Sequence, residues 1–559
     1  MRGTKSISDS LEEQRRKAEE RDAARRAAEL GLPYLDLIST RVPTEIAALE
    51  LVPEAEARNA KIAPLEVTRK TVIVAVFDPR LQATRAALEK LGANHTLDVR
   101  IASLTGLGHA WDHYQYVLDN SIAITGKVDL DPKRLAEILE SVKTLADLGR
   151  EIKEFKSPLT SQLLDIVLGS ALALHASDIH LEPTAGNAVL RLRIDGMLHD
   201  AYRDFTPHVH HSIVTRIKLL SNLKLNISDQ PQDGRFTFGV NDRSIEVRTS
   251  LIPSEYGESV VMRILDPQAI SVNLEDLGWR GDDLKIVQGE LAKPNGLILN
   301  TGPTGSGKTT TLYAFLKRTS TSELKVITVE DPIEYHLPGI SQTQIDPESG
   351  YTFASGLRSI LRQDPDIILV GEIRDAETAE IAMNAALTGH LVFSTLHTND
   401  AVGAVPRLIE LGSKPQTIGP ALSLVIAQRL VRKLCEHCKK PHALTAHETE
   451  AVRTFIDGLP ARVDRTPYAS PTVFEPVGCD KCGGIGYRGR TSVFELFTVT
   501  DEIEEAIYRN PTETEMKSLA KQQGMVTMQE DGMLKVLAGI TDVGEIVRFT
   551  GPISWWTLE

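Results

Sequence analysis

Hydrophobic positions fall into distinct patterns along the chain, and each predicts a different kind of layer. Between Leu11 and Leu30 the only apolar residue is alanine, in LEEQRRKAEERDAARRAAEL. Strong helix formers with acids and bases four apart predict a charged helical segment over 1–30, a solvated helix or frayed tail rather than a docking surface. Gly31-Leu32-Pro33 then breaks the helix, and Thr71–Val76 is a β-branched run ending at Asp78-Pro79. Amphipathic stretches flank it, so 31–120 reads as a small α/β domain without catalytic signature. Residues 121–155 are charged and uneven, fitting a linker with one helix. A second α/β domain follows over 156–270. Its helix begins near Ser157-Pro158 and leads to Ala176–His180, and the alternating runs Val189–Ile194, Phe236–Val240, Ile245–Thr249 and Ser259–Leu265 predict strands with one buried face.

From about 275 to 559 the pattern changes again. Val326–Val329, Ile367–Val370 and Leu391–Ser394 are near-continuous apolar runs, as expected of strands buried on both faces of a parallel sheet. Neither Leu163–Leu174 nor Ala421–Val431 is long enough to span a bilayer, and they contain Asp165 and Arg429.

Chemistry sits where these runs end. Leu297-Ile298-Leu299 leads into Gly302-Pro303-Thr304-Gly305-Ser306-Gly307-Lys308-Thr309, followed by Thr310 and a helix-compatible stretch. This is a complete phosphate-binding loop in its required strand–loop–helix context. The glycines admit backbone N–H groups to a phosphate, and the helix directs its positive end at the anion. Lys308 can neutralise the β- and γ-phosphates of ATP, and the Thr309 hydroxyl can bind Mg²⁺. The other runs lead into Glu330-Asp331-Pro332, Gly371-Glu372-Ile373-Arg374-Asp375 and Thr395-Leu396-His397. Ligands bind beyond the carboxyl ends of parallel strands, so these acids, the arginine and the histidine are expected to gather around the phosphates.

Composition narrows the class. A chain of 559 residues implies three or four domains, and 42% hydrophobic with 25% charged residues describes an ordinary globular protein. A net charge of −14 argues against a direct nucleic-acid partner. The first ten residues lack the apolar core of a secretory signal. The four cysteines form two pairs, Cys435/Cys438 and Cys479/Cys482, inside a module expected over 432–492. Two such knuckles suit a closed tetrahedral Cys₄ site for structural Zn²⁺, ahead of a redox pair or an iron–sulfur centre. That usage places the chain in the cytoplasm.

The series GPTGSGKTTT, VITVEDPIEY, DPDIILVGEIRD and TGHLVFSTLHTND resembles the Walker A, Asp, Walker B and His boxes of the secretion ATPase superfamily. Type II secretion and type IV pilus assembly ATPases are the nearest match. The likeness covers roughly 30–550, through ASDIHLEP, PQDGR, IEVRTSLIPSEYGESVVMRILD, the cysteine module and EDGMLKVLAGITDVGEIVRFT. The resemblance implies a RecA-like core behind a PAS-like domain, working as a homohexamer. It implies that Glu372 supports Mg²⁺ or the attacking water, with Glu330 the other candidate base. His390 and His397 fall at its His-box positions, and Arg248 and Arg263 at positions that supply arginine fingers. Partners would be inner-membrane platform and cytoplasmic-ring proteins, with peripheral attachment to the membrane through them. A nucleic-acid-dependent RecA-like motor is the alternative, disfavoured by the acidic balance. Pilus retraction ATPases fit less well, since they lack the N-terminal domain and the cysteine module.

Overall fold

A computed structural model describes residues 7–37, 44–68, 70–114, 127–128, 132–155, 160–240, 243–266 and 272–556. The chain divides into two compact units, Met1–Leu265 and Asp266–Glu559.

The first unit begins with the helix Ile7–Leu30. It is not the solvated segment its composition predicts, because Ala23 and Ala27 are buried in the core of the small domain. Alanines let the helix backbone approach closely without a large apolar stripe. Glu20 accepts from Ser103 Oγ at 2.7 Å, and the Arg26 guanidinium lies 3.7 Å from the Phe77 ring centre. The small domain is built on the strands Ile62–Thr68, Thr71–Val76 and Thr96–Ile101, with the last two parallel.

The span expected as a linker with one helix holds two, Pro132–Ser141 and Leu145–Glu154. Leu135, Ile138, Val142, Leu148 and Ile152 are buried in the second domain's core, so these helices belong to that domain. Apolar residues spaced at three and four carry the signal. Ser157 and Pro158 lie outside the described residues, and the next helix is described from Thr160 to Ala173. A sheet follows in the spatial order Lys127–Val128, Gln232–Val240, Arg243–Ser254, Gly257–Leu265, Ala176–Pro183, Ala188–Ile194, Met197–Phe205. One face packs on the core and the other carries polar and charged residues, as the alternation predicts.

The second unit is a sheet in the order Ser341–Gln344, Val326–Glu330, Ile367–Val370, Leu391–Leu396, Gly296–Thr301, Leu422–Leu434, Tyr487–Thr498. All neighbours are parallel except the last pair. Every residue of Gly296–Thr301, Val326–Glu330, Ile367–Val370 and Leu391–Leu396 is buried, which accounts for their unbroken apolar runs. The cysteine module lies between the two antiparallel strands. No helix among the described residues is long and apolar enough to cross a membrane.

Candidate functional site

Strand Gly296–Thr301 feeds the loop 302–307, and the helix Lys308–Thr319 starts at once after it. Gly302, Gly305 and Gly307 have φ of +149°, +78° and +91°. A Cβ on Gly302 would meet the Gln428 carbonyl oxygen at 2.6 Å and Ser306 Oγ at 2.7 Å. At Gly307 it would meet Gln428 Nε2 at 2.8 Å. Here glycine is needed both for conformation and for space.

Lys308 Nζ donates to the carbonyls of Gly302 at 2.8 Å and Pro303 at 3.0 Å, so the ammonium folds back over the loop. Burial lowers its pKa below the ordinary lysine value, while Glu372 opposes the shift and Arg429 adds to it. Ser306 Oγ is buried with no hydrogen-bond partner among the described residues. An unmatched buried hydroxyl in a glycine-rich loop at a helix N-terminus fits a phosphate ligand. Pro303 and Thr304 are exposed in the loop, Thr309 is exposed on the first helical turn, and Thr310 is half-buried behind it.

The carboxyl ends of the neighbouring strands converge as expected. Glu372 Oε1 pairs with Arg374 Nη2 at 2.6 Å, and His397 Nε2 lies 3.5 Å from Glu372 Oε2. That second oxygen is buried and makes no hydrogen bond among the described residues, which leaves an acceptor for a hydrated cation or a water. Glu330 differs. Its Oε1 accepts from Thr328 Oγ1 at 2.5 Å and Gln342 Nε2 at 3.1 Å, and its Oε2 accepts from Tyr313 Oη at 2.5 Å. Both oxygens are already occupied, and burial together with Glu330 pushes the Tyr313 phenol well above its usual range.

His390 is placed elsewhere. It precedes strand Leu391–Leu396 whereas His397 follows it, a separation of about 23 Å at ~3.3 Å per residue. Its Nδ1 contacts the Ala385 carbonyl at 2.9 Å. The polarity of a parallel strand thus removes His390 from the phosphate loop within the chain, against the expectation that both histidines join it. Arg248 and Arg263 lie in the first unit, on Arg243–Ser254 and Gly257–Leu265. Arg263 Nε donates to Asp178 Oδ1 at 2.9 Å and Arg248 Nε to Glu246 Oε1 at 3.2 Å.

Sequence reasoning missed Gln428 and Arg429, which form the floor of the loop. Gln428 Oε1 accepts from Asn300 Nδ2 and Thr311 Oγ1, each at 2.9 Å, and its Nε2 donates to Ser492 Oγ at 3.0 Å. Buried Arg429 donates to the carbonyls of Gln428 and Asn399, and its Nη1 would lie 3.0 Å from a Cβ at Gly302. A Gln-Arg pair interrupting the apolar run Leu422–Leu434 was the available signal.

The cysteines form a second centre. Cys435 directly follows the strand Leu422–Leu434, and all four sulfurs lie within 4.8 Å of one another. Sγ separations are 3.9 Å for Cys435–Cys479 and 3.8 Å for Cys438–Cys482 and Cys479–Cys482, with no disulfide. A tetrahedron with ~2.3 Å metal–sulfur bonds has edges of about 3.8 Å, so the set fits a metal ion. Backbone N–H groups of Gly478, Cys479 and Gly486 point at the sulfurs, as thiolates require.

A phosphate loop at the carboxyl edge of a parallel sheet, with acids from adjacent strands beside it, defines a nucleotide-hydrolysing P-loop domain. The chain belongs to the family described as Type II/IV secretion system protein, whose model matches residues 153–548. A MshEN domain model matches residues 30–120. Type II secretion system protein E of Pseudomonas aeruginosa is 43% identical over 78% of this chain and 84% of its own length. The type IV pilus assembly ATPase PilB of Thermus thermophilus is 37% identical over 98% of this chain, which spans only 59% of that protein. Among solved structures, the ATPase DotB of Yersinia pseudotuberculosis shares the fold, with a TM-score of 0.51 at 21% identity, covering 71% of this chain and 96% of that one.

Proposed function

We propose that this chain is an ATP-hydrolysing motor that drives assembly of a pilus or pseudopilus, in type IV pilus biogenesis or type II secretion. Family membership supports nucleotide hydrolysis and work alongside the components of such a machine. The observation that carries the reading is the loop itself: Lys308 held over it by two carbonyls, with Ser306 and Glu372 each offering an unmatched buried atom.

Residues 302–310 cradle the phosphates, with Lys308 neutralising charge on the β- and γ-groups. Thr309 and Glu372 are the residues that would hold Mg²⁺, which when bound supplies charge neutralisation at the phosphate oxygens. Glu372 is the better candidate to polarise the attacking water, because Glu330 has no free oxygen. Glu330 then serves as a fixed acceptor locking Tyr313, Thr328 and Gln342 under the site. His397 beside Glu372 is placed to orient that carboxylate. Arg248 and Arg263 supply charge to the transferring phosphoryl group, delivered by domain closure or by a neighbouring subunit of a homohexamer. The Cys₄ cluster holds structural Zn²⁺, since a closed thiolate set leaves no open coordination position. The chain works in the cytoplasm and reaches the membrane through platform and ring proteins bound by its N-terminal region.

Lys308→Ala tests the assignment. The purified variant is expected to fold, by its melting midpoint, yet lose ATP turnover by at least ~10³-fold. Turnover near that of the unaltered chain would remove this loop as the site.

A further inference from the structure

We propose that Arg235 is a third phosphate-facing arginine, completing with Arg248 and Arg263 a row that receives the terminal phosphates of the nucleotide. The inference rests on the proposed role of Arg248 and Arg263, and the register of the sheet carries it further. Arg263 pairs directly with Arg248 across one antiparallel ladder, and Arg248 pairs directly with Arg235 across the next. On the other side Arg263 pairs with Asp178, and Asp178 with Arg193. Directly opposed residues share a face. The alternate positions Phe236, Val247 and Met262 are buried in the core, so the row lies on the opposite face.

Such an arrangement is unfavourable by itself. Like charges directly opposite one another in a sheet repel, with side-chain bases only ~4.5–5.5 Å apart. The row sets four arginines against one carboxylate, Asp178, which is engaged by Arg263 Nε at 2.9 Å and Arg193 Nε at 3.3 Å. Arg248 contacts Glu246 on its own strand. Arg235 is exposed and has no ion pair or hydrogen bond among the described residues. Every cation in the row is arginine, whose planar fork can bridge two phosphate oxygens, and none is lysine. A multiply charged anion shared across two strand gaps, about 10 Å, would offset the repulsion that the sheet otherwise bears. Asp178 acts as a positioning residue, fixing Arg263 at one end of the row.

The test uses the full chain with Arg235→Ala, measuring steady-state ATP turnover, binding of a fluorescent ATP analogue and thermal melting. Turnover should fall at least ~10²-fold while analogue affinity changes less than about threefold. The melting midpoint should stay level or rise, because a like-charge opposition is removed. Arg235→Lys, which keeps charge but not the fork, should restore part of the rate. Turnover within about threefold of the unaltered chain overturns the inference, as does a rate loss matched by a lowered melting midpoint. Parallel Arg248→Ala and Arg263→Ala variants separate the two levels. If those lose turnover and Arg235→Ala does not, only the third arginine fails; if none loses it, the parent reading fails. Binding to phosphatidylglycerol vesicles that requires Arg235, with turnover unaffected, would make the row a lipid contact and also overturn the proposal.

Discussion

Replacing Gly302 with alanine is a one-methyl perturbation whose cost can be worked from the loop. The added carbon would sit 2.6 Å from the Gln428 carbonyl oxygen, 2.7 Å from Ser306 Oγ and 3.0 Å from Arg429 Nη1, at a φ of +149°. The Ser306 side chain can rotate away. The Gln428 carbonyl cannot, because it belongs to the strand Leu422–Leu434, paired on both sides in this region. Overpacking of this kind costs about 1–3 kcal/mol, and the backbone conformation a further ~1–3 kcal/mol. The sum, roughly 2–6 kcal/mol, appears either as a lower melting midpoint or as a displaced loop that binds nucleotide weakly. Gly305→Ala is the internal control. Its φ is +78°, but an added carbon meets nothing within 4 Å, so only the conformational term applies. Melting curves and titration with a fluorescent ATP analogue on both variants give the comparison. If Gly302→Ala melts and binds like Gly305→Ala, the packing of Gln428 and Arg429 beneath the loop is wrong.

Other outcomes follow from the same structure. About one zinc per chain should be found by metal analysis, and Cys438→Ser should weaken its retention without changing ATP-analogue affinity; iron, or no metal at all, would contradict the Cys₄ reading. Removal of residues 1–126 should leave ATP turnover intact while releasing the protein from cell membranes in fractionation. The cut must stop there, because Pro132–Ser141 and Leu145–Glu154 belong to the second domain's core. Asp531 is fully buried and pairs with Lys535 and with Arg280 Nη1 at 2.7 Å. Asp531→Asn should cost about 3–5 kcal/mol in denaturant unfolding, since buried Lys535 loses its carboxylate and Arg280, still held by Asp282 and Asp283, loses one of three. Burial pushes the Asp531 carboxyl upward, but Lys535 and Arg280 outweigh it and hold it below its ordinary value. Its stabilising contribution is therefore complete at neutral pH and is lost as pH falls below about 4.

Much of the candidate site's geometry was legible because its signals are local. A phosphate loop is contiguous, and Glu330, Glu372 and His397 each follow an apolar run whose carboxyl end must face it. His390 shows the limit of that logic: it stands seven residues before His397 in the same motif, yet a strand lies between them. Gln428 and Arg429 interrupt an apolar run, but the role of Gln428 was not legible from it, since its partners Asn300 and Thr311 are more than a hundred positions away. The sequence of the helix Ile7–Leu30 predicts a solvated segment because alanine is a weak signal of burial, although alanine is what close backbone approach requires. The arginine row could not be read from composition at all. Arg235, Arg248, Arg263 and Arg193 become neighbours only once strand register is known.

The strand Leu422–Leu434 has a mechanical consequence. Gln428, near its midpoint, forms the floor of the loop 302–307, and the next residue past its end is Cys435, the first sulfur of the cluster. Seven residues of extended chain separate the two, about 23 Å. From Leu424 to Leu434 this length is hydrogen-bonded to Tyr487–Thr498, whose own beginning lies five residues beyond Cys482. Two laced strands therefore run from the floor of the loop to the cysteine cluster, where Cys435 just past the end of one strand and Cys482 just before the start of the other bring their sulfurs within 4.8 Å. A metal ion held by those sulfurs would cross-link the two strands at the end away from the loop, so the cluster would stiffen the support of the site from a distance.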